Sequence, residues 1–339
     1  MAKKRAPSGS MLTPESSTLT PAIAVPFVRG TALALLALAC PLAALASEGG
    51  TGRYIPGGAA TLIDLPPTKP GWVVEPIFLS YSGSAPASRS IPIAGTLAAN
   101  VSAKSNAVLL GGLYTFEPTV LGGAHYSVGA YLPYVSMDVE ASLNTALGTV
   151  RRKDSASGIG DLTLIPVMLA WKADHWQTSA FLPIYAPTGQ YKEGRLANPG
   201  LNYWTFDPTV GVSYNNDKNG FNAALFTGIA LNTENNATNY TSGSTLHFDG
   251  SVQQLLPLGS GYLGIGAQAF YLQQVTADSR GNGRLGDFKG RTSGIGPVLT
   301  YIVPRGPDTL VAELRWLRET NVKNRLEGDY LWLKIVYQF

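Results

Sequence analysis

Apolar and polar residues alternate along most of the chain from position 72 to the C-terminus. The segment 329–339 is the clearest case. One face of this segment presents five apolar residues, Leu331, Leu333, Ile335, Tyr337 and Phe339. The opposite face presents Lys334 and Gln338. A period of two indicates a β-strand with one apolar and one polar face, and the segments 204–215 and 308–321 repeat it.

The alternation predicts twelve strands of about ten or more residues, the length that a tilted strand needs to cross a membrane. They lie near 72–82, 106–116, 124–135, 159–172, 175–186, 204–215, 220–232, 244–257, 260–274, 293–303, 308–321 and 329–339. The connections are alternately short and long, and the long ones are 83–105, 136–158, 187–203, 233–243, 275–292 and 322–328. Bacterial outer-membrane proteins have an even strand number, short periplasmic turns and long outer loops. We therefore predict an all-β fold, a single transmembrane antiparallel β-barrel over residues 72–339.

Two features predict local irregularities in this barrel. Five prolines fall inside predicted strands, where each removes a hydrogen-bond donor: Pro133, Pro166, Pro183, Pro208 and Pro297. We expect them at bulges or near the rims. The alternation also breaks within 159–172, because Asp161 shares its face with Val167 and Trp171. This break predicts a bulge.

Aromatic residues near the strand ends predict two girdles at the membrane surfaces. They are Trp72, Tyr81, Trp171, Trp176, Trp204, Tyr214, Trp332 and Tyr337. A soluble, secreted β-sandwich would also alternate, but globular strands usually run about five or six residues. The last residue, Phe339, is the terminal aromatic that we expect the outer-membrane assembly machinery to recognise. The barrel in the bacterial outer membrane, in contact with lipid and lipopolysaccharide, is the favoured interpretation.

The N-terminal region has the pattern of an export signal. Arg29 precedes the apolar run 31–39, and the small-residue pattern Ala44-Leu45-Ala46 follows it. These are the charged, apolar and cleavage regions of a signal peptide, which we assign to residues 1–46. Two alternatives stay open at this stage: translation from Met11, and a lipoprotein site at Leu38-Ala39-Cys40.

Composition agrees with a membrane barrel and removes other classes of protein. Charged residues make up 14% of the chain, where about 25% is usual, and no mature segment has the roughly 20 consecutive apolar residues of a spanning helix. The signal peptide holds four of the 25 basic residues and one of the 22 acidic ones, so the mature chain is neutral. A nucleic-acid partner therefore has no basic stripe to support it. The single cysteine, Cys40, is also removed, and we predict no cofactor and no metal site.

Residues 47–71 contain many glycines and prolines and show no period. They read as an irregular segment that precedes the first strand. We hypothesise that this segment tucks into or beneath the lumen as a plug.

Four short motifs carry a resemblance to a known family. They are Gly52-Arg-Tyr-Ile-Pro-Gly57, Gly158-Ile-Gly-Asp-Leu162, Pro187-Thr-Gly-Gln-Tyr191 and Asn198-Pro-Gly-Leu-Asn-Tyr-Trp204. In order and spacing they resemble the outer-membrane proteins of the MetA-pathway of phenol degradation family, over most of the mature chain. The resemblance implies uptake of aromatic compounds or related hydrophobic substrates.

An enzyme inside a barrel is the alternative that uses the three histidines. His125 and His175 fall beside predicted periplasmic turns, and His247 is predicted to point into the lumen. A lipid-modifying enzyme would need its base to face the lipid. The chain also lacks a G-x-S-x-G elbow and an H-E-x-x-H pair. We predict no catalytic residues and no enzyme activity.

Five polar residues are predicted to line the lumen: Asp207, Gln268, Glu313, Arg315 and Lys334. Ionisable side chains at membrane depth mark a solute pathway unless they pair, and the alternative is a salt-bridged interior that fills a narrow barrel. Basic residues in the loops, including Arg151-Arg152-Lys153, could steer anionic solutes or bind lipopolysaccharide phosphates. Together these features predict a channel for passive passage of small, hydrophobic or aromatic molecules. The alternative is a structural or adhesive barrel with a closed lumen.

Overall fold

The computed structural model describes residues 52–86, 91–93, 96–145, 148–280, 283–284 and 289–339. The predicted signal peptide lies outside these residues. The described chain forms one antiparallel sheet of twelve successive wall strands, some of them interrupted, together with small outer strands. Within the described residues no helix is long and apolar enough to cross a membrane.

The wall strands are β1 (Gly71–Ala85), β2 (Thr96–Thr115), β3 (His125–Thr145), β4 (Gly148–Ile159 and Thr163–Ala173), β5 (Trp176–Phe181 and Ile184–Tyr185), β6 (Thr205–Phe206 and Thr209–Asn215), β7 (Phe221–Asn232), β8 (Thr245–Leu258), β9 (Gly261–Gln274), β10 (Arg291–Arg305), β11 (Asp308–Lys323) and β12 (Glu327–Gln338). Each strand pairs with the one before it, and β12 pairs with β1. Trp72 and Phe339 exchange two backbone hydrogen bonds of 3.0 Å at this seam. The predicted barrel of about twelve strands is confirmed.

Two of the predicted outer loops are largely strand. Residues assigned to the connections 83–105 and 136–158 instead extend β2, β3 and β4 outward. The outward side chains of these extensions include Lys104, Arg151 and Lys153 rather than apolar residues. Because these extensions project beyond the lipid, they need no apolar face, and the apolar alternation that predicts a membrane strand is missing from them.

The outer side also carries short strands that are not part of the wall. Ile91–Ile93 pairs with β2. Glu234–Asn235, Tyr240–Thr241, Ser279–Arg280 and Gly283–Arg284 form a separate small sheet. The buried Tyr240 is hydrogen-bonded to Asp278 within this cluster.

Three of the five strand prolines lie at irregular positions, as expected. Pro183 and Pro208 interrupt β5 and β6. Pro166 lies at a bulge, where the β3–β4 register shifts between the Ser127–Met168 and Gly129–Ile165 pairs. Missing donors are tolerated there because the ladder is already irregular. The predicted bulge in 159–172 is present.

Pro133 and Pro297 differ from the expectation, because both lie within continuous strands away from the rims. In each case the ladder is interrupted on one side only. Pro133 lies beside the break at 160–162 in β4. Opposite Pro297, the β10–β11 pairing skips from Ile295 to Val298. A proline can occupy such a position because the ladder has no hydrogen bond on that side that would need the missing N–H.

The outward faces of the strands are apolar through the middle of the barrel. Exposed outward residues include Leu110, Leu132, Leu225, Ile265, Ile295 and Leu314. Trp72, Trp176 and Trp204 lie on the same surface, as a girdle requires. Tyr81 and Trp332 do not belong to the girdles, because they share their strand faces with the inward residues Ile77 and Lys334 and are buried inside the barrel.

The inward faces differ between the two sides of the barrel. We define the polar wall as the inward residues of β8 to β12 that are polar: His247, Asp249, Ser251, Gln253, Gln268, Thr300, Glu313, Arg315 and Lys334. We define the apolar wall as the inward apolar residues of β1 to β5: Val73, Ile77, Leu109, Leu113, Ile165, Met168 and Phe181. The N-terminal segment 52–70 runs between the two walls.

Candidate functional site

The segment 52–70 is hydrogen-bonded to the polar wall along most of its length. Gly57 donates its backbone N–H to Asp249 (2.8 Å), and its carbonyl accepts from Arg315 (2.5 Å). The Ser251 hydroxyl donates to the carbonyl of Ala60 (2.7 Å). These bonds satisfy backbone groups that would be costly to bury without partners.

Asp64 is the main charged anchor of the segment. It pairs with Arg315 (2.8 Å) and with Lys334 (2.5 Å), and its side chain is 4% exposed. Asp64 also accepts the backbone N–H groups of Ala60 and Thr61, which closes the turn Leu62–Asp64. Buried charges are stable when they are both paired and hydrogen-bonded, so Asp64 connects the fold of the segment to its attachment.

Tyr54 fixes the outer part of the segment. Its ring stacks on His247, with centroids 3.6 Å apart and an interplanar angle of 15°. Its hydroxyl donates to Asp249 (2.6 Å). His247 lies 3.0 Å from Asp207 through Nε2 and 3.8 Å from Asp249 through Nδ1. Tyr54 is thus held by both a ring contact and a hydrogen bond on the polar wall.

Asp161 brings together all four of the sequence motifs described above. It binds Arg53 (2.5 Å) and accepts the backbone N–H groups of Gly189 (2.8 Å) and Leu201 (2.7 Å). Arg53 also donates to the carbonyl of Tyr203 (2.9 Å). We call this group of five residues the Asp161 cluster. It joins the N-terminal segment to β4 and to both ends of the loop 187–203.

Glycines make the Asp161 cluster compact. A Cβ on Gly189 would lie 2.6 Å from the carbonyl carbon of Gly160, and one on Gly200 would lie 2.8 Å from the carbonyl carbon of Gly189. Backbone contacts this close leave no space for a side chain. The glycines of these motifs are therefore explained by packing around one carboxylate.

The loop 187–203 folds over the outer end of the lumen and is held by Asp154. This carboxylate accepts a hydrogen bond from Arg195 Nη2 (2.6 Å) and from the backbone N–H groups of Leu196 (2.9 Å) and Ala197 (3.1 Å). The hydrogen bonds from Arg195 lower the pKa of Asp154 to about 2. Leu196 and Ala197 are buried against the barrel interior.

An outer chamber of about 170 Å³ lies beneath this loop. Its wall is mainly apolar and aromatic and includes Leu79, Tyr81, Val139 and Tyr330. Tyr54 and Ile55 of the N-terminal segment form part of its lining.

An inner chamber of about 180 Å³ lies between the N-terminal segment and the apolar wall. The wall side includes Ile77, Leu113, Ile165 and Met168. The segment side includes Ala59, Ile63 and Leu65. Tyr54 and Ile55 line this chamber as well, so they form the partition between the two chambers. The segment thus has a polar side against the polar wall and an apolar side against the inner chamber.

The five residues predicted to line the lumen are all buried inside the barrel: Asp207, Gln268, Glu313, Arg315 and Lys334. Asp207 and Lys334 line the inner chamber. Glu313 and Arg315 bind each other and the segment, through Thr61 and, for Arg315, Asp64. This network matches the salt-bridged interior that the sequence left open.

Gln268 is the exception among the five, because neither atom of its amide has a hydrogen-bond partner in the described residues. Gln268 lies beside Gly57, which has φ +86° and where a Cβ would lie 2.7 Å from Leu317 Cδ1 and 3.1 Å from Gln268 Nε2. The close approach explains the glycine at position 57. The role of these five residues in a solute pathway stays a prediction.

Several residues of the site were not singled out from the sequence. Arg53, Tyr54 and Asp64 lie in a segment without a period, so no face could be assigned to them. Glu75 was detectable, because it lies on the same face of β1 as Val73 and Ile77 and is 5% exposed.

The histidines and acidic residues show no metal centre in the described ranges, where no group of three or more His, Cys, Asp or Glu side chains could hold an ion. His247 is 1% exposed and lies inside the barrel, away from lipid. His125 and His175 lie beside turns at the opposite end from the loop 187–203.

The fold and its apolar outer surface define the class of bacterial outer-membrane β-barrels. The sequence profile described as "Putative MetA-pathway of phenol degradation" matches residues 87–335, and the chain belongs to this family. A search of curated protein sequences finds no significant match.

Solved structures support the same fold. The COG4313 outer membrane channel from Pseudomonas putida F1 is similar, with a TM-score of 0.59 and 18% identity over 85% of this chain and 100% of that chain. The beta domain of the Bordetella autotransporter BrkA is more distant, with a TM-score of 0.45 and 13% identity over 80% and 100% of the two chains. The barrel thus resembles that of a bacterial outer-membrane channel, in agreement with the predicted location.

Proposed function

We propose that the protein is a channel for passive passage of small hydrophobic or aromatic molecules across the outer membrane. The observation that carries the proposal is the pair of mainly apolar chambers on either side of Tyr54 and Ile55. An enclosed apolar cavity of about 150 Å³ is large enough to bind benzene. Each chamber, at about 170 and 180 Å³, has the size for one monocyclic molecule.

The segment 52–70 acts in this proposal as a plug with a passage along one side. Its bonds to the polar wall block wide aqueous flow through the centre of the barrel. A hydrophobic solute instead moves along the apolar wall, where it needs no polar partner and displaces only the partition at Tyr54 and Ile55. The family name and the similar channel agree with such a role.

Liposome swelling with purified protein and a graded series of solutes tests whether the lumen conducts. The proposal expects entry of small solutes, with a sharp fall in rate as their width exceeds that of a single ring. Uptake of monocyclic aromatic compounds by a deletion strain, restored by the wild-type gene, tests the solute class. A barrel that admits no solute of any size would support the structural or adhesive alternative, which the filled centre of the lumen favours.

A further inference from the structure

Glu75 is an acidic side chain on an otherwise apolar wall. It lies on β1 between Val73 and Ile77, it is 5% exposed, and it lines the inner chamber. Its Oε2 accepts a hydrogen bond from the Tyr131 hydroxyl (2.7 Å). A carboxyl group has two oxygens and about four acceptor sites. One hydroxyl therefore uses only part of its capacity.

The two cations that line the inner chamber, Arg53 and Lys334, each pair with a carboxylate. Lys334 is bound by Asp64 and by the carbonyl of Gly58. Arg53 is bound by Asp161 and the carbonyl of Tyr203. Asp207 contacts His247.

Glu75 differs from these groups in the described part of the chain. There its hydrogen-bond partner is an uncharged phenol, and no ion pair to a cation is present. A polar group that is buried, open to a cavity and surrounded by apolar side chains is the arrangement by which ligand sites fix orientation. The cavity beside it matches a single ring in size.

We propose that Glu75 selects the solute in the inner chamber by accepting a hydrogen bond from an O–H or N–H group on an uncharged ring. This inference rests on the proposed function and specifies the solutes that use it. The apolar wall binds the ring, and Glu75 binds the donor. A ring that carries a carboxylate is disfavoured, because a carboxylate offers no donor to Glu75 and both cations that line the chamber, Arg53 and Lys334, already pair with carboxylates.

Binding to the purified full-length protein tests this selection, with phenol, toluene and benzoate as probes in equilibrium dialysis. Phenol and toluene have similar size, but only phenol offers a donor. For Glu75→Gln we expect phenol affinity to fall roughly five- to tenfold, because the amide has one acceptor oxygen in place of two and turns an N–H₂ donor toward the ligand. Toluene affinity should change by less than about twofold, and benzoate affinity should rise.

Glu319→Gln is the matched control. Glu319 is another buried carboxylate that accepts a tyrosine hydroxyl, from Tyr81 (3.0 Å), but it lines neither chamber. Its partners Tyr81 and Tyr330 line the outer chamber, so this control is judged by the ratio of phenol to toluene affinity, which should stay at the wild-type value. Tyr131→Phe is the second variant, because it frees Oε2 and keeps the carboxylate, so phenol binding should be retained.

Equal effects of Glu75→Gln on phenol and toluene, no effect on either, or the same effect from Glu319→Gln would overturn the inference. Loss of phenol binding in Tyr131→Phe would do so as well. The channel proposal fails separately, if liposomes show no passage while phenol still binds. If solutes pass but Glu75→Gln changes phenol and toluene affinity equally, only the selection by Glu75 is wrong.

Discussion

The two walls of the lumen show opposite ways of filling a barrel. The polar wall is bound to the N-terminal segment through one connected network of Asp64, Arg315, Glu313 and Lys334. The apolar wall meets the segment only through side chains such as Ala59 and Leu65, and there a chamber of about 180 Å³ is left. Polar contacts require defined partners, whereas an apolar cavity leaves no polar group unpaired and costs only lost packing.

The difference between the two walls shows how one segment can fill the centre of the barrel and still leave a cavity along one side. Buried charges hold the segment at fixed points, since leaving any of them unpaired is costly. On the proposed route a small apolar molecule leaves the bonds of Asp64 intact and displaces Tyr54, whose hydroxyl donates to Asp249. Most anchoring contacts of the segment therefore lie on β8 to β12, and the proposed solute route lies along β1 to β5, where Arg53–Asp161 and Gln177–Pro66 also hold the segment.

Deletion of residues 52–70 should have the largest effect, since it removes the segment that contacts both walls. We expect single-channel conductance in planar bilayers to rise severalfold, because the centre of the barrel becomes filled with water. Lys69→Ala is the control, because the Lys69 side chain donates to the carbonyl of Pro307 at the periplasmic rim. An unchanged conductance after the deletion would mean that the segment does not limit flow.

Replacement of Arg315 by Met tests the anchoring wall. It leaves Asp64 and Glu313 without this cation, and breaking a buried pair typically costs about 3–5 kcal/mol. Denaturant unfolding in detergent should show a loss of this size. Arg318→Met is the matched control, since its pair with Asp329 is 50% and 34% exposed and exposed pairs contribute about 0–1 kcal/mol. Equal losses in the two variants would contradict a special role for the polar wall.

Replacement of Ile165 by Trp tests the conducting wall. Ile165 lines the inner chamber, and the larger indole side chain of tryptophan should fill it. We expect uptake of monocyclic aromatic compounds to fall while unfolding stability changes by about 1–3 kcal/mol at most. Val167→Trp provides the comparison on the lipid face, where this residue is exposed. If both variants transport at the wild-type rate, the apolar wall is not the route.

The smallest effect is expected at the outer loop, through Asp154. Its pKa is lowered to about 2 by Arg195, so the contacts of this carboxylate contribute fully above its usual pKa of 3.8 and are lost as pH falls through about 2. Fluctuations of the single-channel current in planar bilayers should therefore be the same at neutral pH and at about pH 5, and increase only below about pH 4. Asp154→Asn should fluctuate more already at neutral pH. Asp138→Asn, at an exposed site nearby, should not.

The wall of the barrel could be predicted from the sequence because strand alternation is a local signal. Lys334 faces inward and Leu331 outward, because residues three positions apart in a strand point to opposite faces. Trp332 was misplaced in a girdle because residue type was given more weight than its strand face. The long hairpin of β3 and β4 was missed where its outward residues become polar.

The interior could not be predicted in the same way. Arg315 and Asp64 are 251 positions apart, and nothing in either local pattern indicates the other. The four family motifs were recognised by order and spacing, but their convergence on Asp161 depends on backbone contacts of Gly189 and Leu201. Partners of this kind are set by the closed fold, not by periodicity.

The seam between Trp72 and Phe339 has a consequence for how the chain folds. Phe339 pairs with Trp72, which follows the segment 52–70, so the wall cannot close until both β1 and β12 are available. The entropy of closing a loop grows with its length, and contacts of such long range form slowly. The bonds from Asp64 to β11 and β12 span nearly the same distance along the chain. We therefore expect closure of the wall and capture of the plug to be one late, concerted event, so that a barrel stalled before closure is also an unplugged one.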